Sequence, residues 1–229
     1  MTPEIAIVVT AYNEADRLGE TLSALRATFP DARLIVADDA STDATAEVAR
    51  AGDAELVSAR RRLGKGGVAT LAAERARGEG RPILLICDGD LGDSARHLLR
   101  LVEDVRFGGG ELAVGAFQSS VGGGFGLAVG FAHWAIRSLT GLDLTAPISG
   151  QRALAPPVLD AVLPFAPRFG MEIGMTVDAH RAGFLVVEVE LPLEHRATGR
   201  SAAGFLHRAR QLKDFLGVYA LRRMRGGAR

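Results

Sequence analysis

The sequence predicts an α/β protein with a mostly parallel central sheet and helices on both of its faces. Two patterns carry this. Short apolar runs rich in β-branched residues alternate with longer segments of helical periodicity, and a polar loop follows each early run. Residues 5–9 (IAIVV) form a near-continuous apolar strand, as expected of a parallel strand covered on both sides. Leu18, Leu22, Leu25 and Phe29 recur at helical spacing, which predicts a helix over residues 15–28. A strand at 34–37, a helix at 42–50, a short strand at 55–58, a helix at 66–77 and a strand at 83–87 follow. Residues 94–106 read as a helix whose inward stripe is Leu98, Leu101, Val102 and Val105. This β-α order implies parallel strands joined by right-handed crossovers. Further on, 112–117 and 184–191 read as strands, and 125–139, 170–182 and 204–223 as helices. No repeat and no Pro-, Gly- or Ser-rich linker divides the 229 residues, so one domain is expected over 1–229.

Composition narrows the function classes. Lys plus Arg and Asp plus Glu each number 27, so no global field points to nucleic acid. From residue 203 to the end, seven Lys/Arg face one Asp, the pattern of a solvated basic helix or of a face for anionic lipid or a phosphorylated acceptor. The single cysteine, Cys87, lies inside an apolar run, which excludes an internal disulfide and suits a buried small residue. The amino terminus has no basic region or cleavage site of a secretory signal, and residues 125–136 are too few to span a bilayer. The expectation is a cytoplasmic protein, at most peripheral on the inner face of the membrane. Residues 125–142 and the basic segment 203–225 are the candidates for such contact with anionic lipid.

In open parallel sheets ligands sit beyond the carboxyl ends of the strands. Four loops there carry polar residues: Thr10–Glu14, Asp38–Asp43, Leu63–Gly67 and Asp88-Gly89-Asp90. Asp88 and Asp90, separated by one glycine, can turn toward one point and hold a hard divalent cation together with substrate phosphates. The same pair can instead lead into a helix start near Ser94. Asp39 or Ser41 can cap the helix beginning near Thr42, or Asp38 or Asp39 can accept a nucleobase N–H; the sequence leaves both readings open. Lys65, between glycines at a helix entry, suits an anion site or a solvated loop; the sequence leaves both open.

Six segments in order, IVVTAYNEADRL, LIVADDASTDAT, LGKGGVAT, LLICDGDL, ISGQRAL and MEIGMTVDAHRAGFLVVEVEL with HRATGRS, resemble the signatures of family-two glycosyltransferases of GT-A fold. The last two resemble the dolichol-phosphate-mannose-synthase-like branch, which uses polyprenyl-phosphate acceptors. The resemblance implies a Rossmann-like GT-A domain with a nucleotide-sugar-binding half over 1–120 and an acceptor-side half over 121–229. It implies a nucleotide diphosphate sugar, UDP- or GDP-linked, Mg²⁺ or Mn²⁺, and inversion at the anomeric carbon. By position, Ala11 and Tyr12 line the base pocket, Glu14 reaches the ribose, and Asp38 or Asp39 reads the base. Asp88 lies near ribose or metal and Asp90 ligates the metal. Arg152, Arg196, Arg200 and Ser201 face phosphates. Gln118 stands where that branch carries a charged residue.

An alcohol acceptor needs a base, for which Glu172 and Asp93 are the candidates; a phosphate acceptor is already ionised and needs none. His195, beside Arg196, is a candidate phosphate donor. A dehydrogenase is disfavoured because TAYNEA follows the first strand without a G-x-G-x-x-G turn, and a P-loop fails because Gly66 follows Lys65. A nucleotidyltransferase would need a Gly-rich basic loop after strand one. A soluble alcohol acceptor and a non-catalytic nucleotide-binding scaffold are the remaining alternatives.

Overall fold

The computed structural model describes residues 5–78, 82–117, 126–193 and 202–226, the side chains of 117, 126–127, 202–210 and 225–226 excepted. The strands are β1 (Ile5–Ala11), β2 (Arg33–Asp38), β3 (Glu55–Ser58), β4 (Ile83–Asp88), β5 (Leu112–Phe117), β6 (Arg152–Leu154) and β7 (Val186–Leu191). They form one sheet in the order β3-β2-β1-β4-β6-β5-β7. All neighbours pair in parallel except β6, which runs antiparallel to both β4 and β5.

The helices are α1 (Leu18–Thr28), α2 (Thr45–Ala51), α3 (Lys65–Ala76), α4 (Leu99–Arg106), α5 (Gly126–Thr140), α6 (Pro156–Val162), α7 (Met171–Arg181) and α8 (Ala202–Gly226). A 3₁₀ segment, Gly92–Leu98, leads into α4, and a 3₁₀ turn, Arg168–Gly170, leads into α7.

Alternation along the strands splits the core in two. Ile7, Val9, Val36, Leu85 and Cys87 face α1 and α4, whose Leu18, Leu22, Leu25, Leu101 and Val102 are buried against them. Ala6, Val8, Ile35, Leu84 and Ile86 face the opposite way, onto Val68, Ala72, Leu159 and Met175 of α3, α6 and α7. A third cluster joins α5, α7 and α8 through Ala132, Ile136, Ile173, Val177, Phe215 and Val218. The inward stripes expected over 15–28 and 94–106 are therefore the ones turned to the core, with Val105 only partly buried.

Several boundaries differ from expectation. The second helix starts at Thr45, where Asp43 accepts the Thr45 N–H and hydroxyl. The segment expected as one helix over 94–106 divides into its 3₁₀ and α parts. Two elements, β6 and α6, were not expected. A three-residue strand carries no periodicity to read, and β6 owes its direction to pairing with distant strands.

Candidate active site

Strand order reverses between β1 and β4: β2 and β3 lie on one side of β1, and the later strands on the other. Such a reversal opens a crevice at the carboxyl ends of the strands. Main-chain bonds stitch the strand ends there. Gly89 N–H donates to Thr10 O and Asp39 N–H donates to Ala11 O, each at 3.0 Å. In register, Thr10 lies opposite Asp88, and its hydroxyl is 3.1 Å from Asp88 Oδ1.

Asp88 is held from two further directions. Lys65 Nζ lies 2.6 Å from Asp88 Oδ1 and 3.1 Å from Glu172 Oε1, so one ammonium joins two carboxylates from β4 and α7. Gln151 Nε2 donates to Asp88 Oδ2 at 2.9 Å, and Gln151 Oε1 accepts from the Ser149 hydroxyl. Burial alone would lower the Lys65 pKa, but Asp88 and Glu172 outweigh it and raise it above the ordinary lysine value. The ammonium is thus fixed as a cation. Burial also pushes the Cys87 thiol well up, so Cys87 is an inert core residue.

Two glycines permit this packing. A Cβ on Gly150 would come 2.5 Å from Asp88 Oδ2 and closer still to Lys65 Nζ. A Cβ on Gly66 would collide with the carbonyl oxygen of Ala166. Small residues let the entrance of α3 press against the segment before α7, which sets Lys65 between its partners.

The loops after β1 and β2 form the neighbouring wall. Asp39 is buried and its oxygens accept the N–H groups of Leu63 and Gly64 and bind Arg62 Nε at 2.9 Å. It caps the approach to α3 and not α2, which corrects the expectation that Asp39 caps the second helix. Asp38, also buried, accepts only the Ser41 N–H among the bonds described for its side chain. The Arg62 guanidinium lies 3.3 Å over the Tyr12 ring. Ala11 is buried at the end of β1, and the Glu14 N–H donates to Thr45 Oγ1. Asn13 bridges the two loops by accepting the Thr42 N–H and donating its own N–H to Ser41 Oγ. Asn13 and Ala40 hold φ of 55° and 59°, the left-handed region where strain gathers at working loops.

The cluster brings together Asp88, Lys65 and Glu172, with Asp90 half-buried one residue beyond Gly89. It does not include Arg152 or Asp93. Arg152 is fully buried and donates to Ser149 O, Thr176 Oγ1 and Pro147 O. Burial pushes its pKa down to about 10, against the opposing pull of Glu172 and Glu188, and it stays charged at neutral pH. The phosphate contact expected for Arg152 finds no support in these surroundings: the side chain is buried and each of its three nitrogens donates inside the protein. Asp93 is exposed and pairs with Arg96 on the same 3₁₀ segment. Gln118, His195, Arg196, Arg200 and Ser201 lie outside the described residues. Gln151 was missed. The signal available was a polar run, Ser149 to Arg152, leading into a buried apolar pair.

A divalent cation fits this turn, where Asp88 and Asp90 flank Gly89, because a hard cation accepts one or two carboxylates if phosphates complete its shell. Among the described residues no group of three or more His, Cys, Asp or Glu could hold a metal by itself. A cation here would depend on ligand phosphates.

Comparison with known proteins identifies the family. The family model described as Glycosyl transferase family 2 matches residues 6–142, which include both aspartates and Lys65. The chain belongs to glycosyl transferase family 2. It is a sugar-transferring enzyme, and its fold is that of the GT-A glycosyltransferases. It is similar to the undecaprenyl-phosphate mannosyltransferase of Micrococcus luteus, with 31% identity over 213 residues covering 86% of each protein. Glycosyltransferase AglD of Haloferax volcanii is 39% identical over 124 residues, covering 49% of this family-two chain and 19% of AglD. Among solved structures, glucosyl-3-phosphoglycerate synthase from Mycobacterium tuberculosis with phosphoglyceric acid superposes with a TM-score of 0.78 at 26% identity, over 96% of this chain and 80% of that one. The same enzyme with Mn²⁺, UDP-glucose and phosphoglyceric acid gives 0.76 at 27%, over 95% and 80%.

Proposed function

We propose that this glycosyltransferase transfers a sugar from a nucleotide diphosphate sugar to a polyprenyl phosphate, with inversion and with Mg²⁺ or Mn²⁺ bound at Asp90. The observation that carries the reading is the Lys65 bridge between Asp88 and Glu172. It sets one fixed cation beside the aspartate turn at the strand-order reversal, where a diphosphate would lie. The M. tuberculosis enzyme holding Mn²⁺ and UDP-glucose on the same fold supports the donor class and the metal.

Each residue then has a task. The base enters between the loops after β1 and β2, where Ala11 and Tyr12 line its pocket and Glu14 is near the ribose. Asp38 reads its N–H, because Asp39 is committed to Arg62, Leu63 and Gly64. Asp88, oriented by Gln151 and Thr10, accepts hydrogen bonds from ribose or sugar hydroxyls. Lys65 offsets negative charge that develops as the sugar–diphosphate bond breaks. When bound, the metal supplies Lewis-acid stabilisation of that diphosphate. Gln118, Arg196, Arg200 and Ser201 are assigned to phosphates of donor or acceptor from the family resemblance.

An acceptor phosphate oxygen attacks the anomeric carbon from the opposite face. The bond to the donor diphosphate breaks, and the nucleoside diphosphate departs with the electron pair. No proton needs to be removed. This suits the structure, because Glu172 would have to give up Lys65 to act as a base, and Asp93 is paired with Arg96. The M. luteus relative, named for undecaprenyl phosphate, points to the same acceptor.

A second reading has its own observation: the M. tuberculosis structures hold phosphoglyceric acid, a soluble acceptor. The test offers radiolabelled UDP- and GDP-sugars with Mn²⁺ to the protein, with either detergent-dispersed polyprenyl phosphate or phosphoglyceric acid. Label passing into the organic phase supports the lipid acceptor. Label found only on the water-soluble acceptor overturns it.

A further inference from the structure

The outer layer made by α5 and α8 carries a surface that the transfer chemistry does not use. The inward side of α8 is anchored: Phe215 and Val218 are buried, Arg222 pairs with Asp178, and Asp214 lies 3.8 Å from Arg168. Arg168 also packs on Gly64, beside Lys65. The layer is thereby fixed to the wall of the active site.

The outward side of α8 is apolar where solvent would be expected. Leu216, Leu221 and Met224 are 49%, 42% and 68% exposed, and their spacing puts them on one face of the helix. Lys213 and Arg223, both exposed, share that face. Trp134 of α5 continues it. Its ring is 51% exposed and lies 4.8 Å from Tyr219 and 5.5 Å from Phe131, forming an aromatic group at the edge of the stripe. The acid at the rim, Asp143, is engaged by His133 and Arg137.

We propose that this α5/α8 face seats on an anionic lipid bilayer, with Leu216, Met224 and Trp134 entering the headgroup boundary and Lys213 and Arg223 meeting lipid phosphates. Apolar side chains flanked by cations, with Trp and Tyr at the margin, match the layered polarity of a membrane surface. A symmetric contact with a second copy is disfavoured, because it would set Lys213 and Arg223 of one copy near the same cations of the other. No described helix is long and apolar enough to cross a membrane, so the contact is peripheral on these elements. The purpose of the surface rests on the polyprenyl-phosphate reading, since a lipid acceptor is met at a bilayer.

Trp134 is the only tryptophan in the chain, so its emission reports this face alone. The full-length protein is titrated with phosphatidylglycerol/phosphatidylcholine vesicles and with pure phosphatidylcholine vesicles. A blue shift and co-sedimentation with the anionic vesicles, weakened by salt, are expected. Leu216→Glu combined with Met224→Glu should weaken vesicle binding at least about tenfold while nucleotide-sugar binding is retained. Unchanged emission with anionic vesicles overturns the proposal, as does wild-type binding by the double variant. A shift that grows with protein concentration without lipid also overturns it, in favour of self-association. Transfer to detergent-dispersed polyprenyl phosphate without vesicle binding rejects the surface but keeps the acceptor. Vesicle binding without such transfer keeps the surface and rejects the acceptor.

Discussion

Replacing Lys65 with Met keeps most of the side-chain volume and removes the charge that joins Asp88 to Glu172. The two contacts are 2.6 and 3.1 Å long. At an effective dielectric of about 20, unit charges at those separations attract by roughly 6 and 5 kcal/mol before desolvation is counted. Much of that offsets the burial of the three groups. Removing one partner of a buried set costs about 3–5 kcal/mol, because the remaining charges lose their compensation. The Lys65 and Asp88 side chains keep 18% and 23% exposure, and the water they reach places the expectation near the lower end, about 3 kcal/mol. For a protein of this size that is a fall of about 6–12 °C in melting temperature. The Lys65 pKa is raised above 10.5, so its contribution is complete below that value and is lost only as pH climbs through the higher folded value. The full effect is therefore present at pH 7.5. Urea denaturation at that pH measures it. A loss under about 1 kcal/mol would refute the argument.

Two other substitutions probe the site's surroundings. Gly150→Ala places a methyl group against Lys65 Nζ and Asp88 Oδ2, both ends of side chains that can give way. Transfer should fall by at least about tenfold with a stability loss of only about 1 kcal/mol, read from steady-state rates and thermal melts. Asp39→Ala strips the acceptor from the N–H groups of Leu63 and Gly64 and frees Arg62. A loss of about 2–4 kcal/mol is expected, with faster amide exchange in the loop before α3 by mass spectrometry; unchanged exchange there would contradict the assigned bonds.

Much of the nucleotide-side half was legible because local signals agree there. The apolar run before Asp88 is a strand covered on both faces, and Leu18, Leu22 and Leu25 are its cover on one side. A glycine between two aspartates at that strand's end marks the turn correctly. The later half was harder to read. Arg152 and Gln151 are adjacent in an extended segment, so they point to opposite faces. Residue type favoured Arg152 as the ligand-facing member, but pairing of β6 in the reverse direction turned it toward Thr176 and presented Gln151 to Asp88. That choice depends on strand direction, which is set by β4 and β5 far away in sequence. The joining of Lys65 to Glu172 across about a hundred residues was likewise invisible, though each had been singled out from its own local context. On α8 the number of basic residues was readable, but not that Arg222 turns inward to Asp178 while Lys213 and Arg223 stay outside.

Calorimetric titration of UDP- and GDP-sugars into the wild type and Asp90→Ala, each with Mn²⁺ and with EDTA, bears most directly on the active-site claim. The account predicts nucleotide-sugar binding to the wild type that requires Mn²⁺ and disappears in Asp90→Ala, with the variant's melting temperature within a few degrees. Binding of equal affinity in EDTA, or in Asp90→Ala with Mn²⁺, would contradict it.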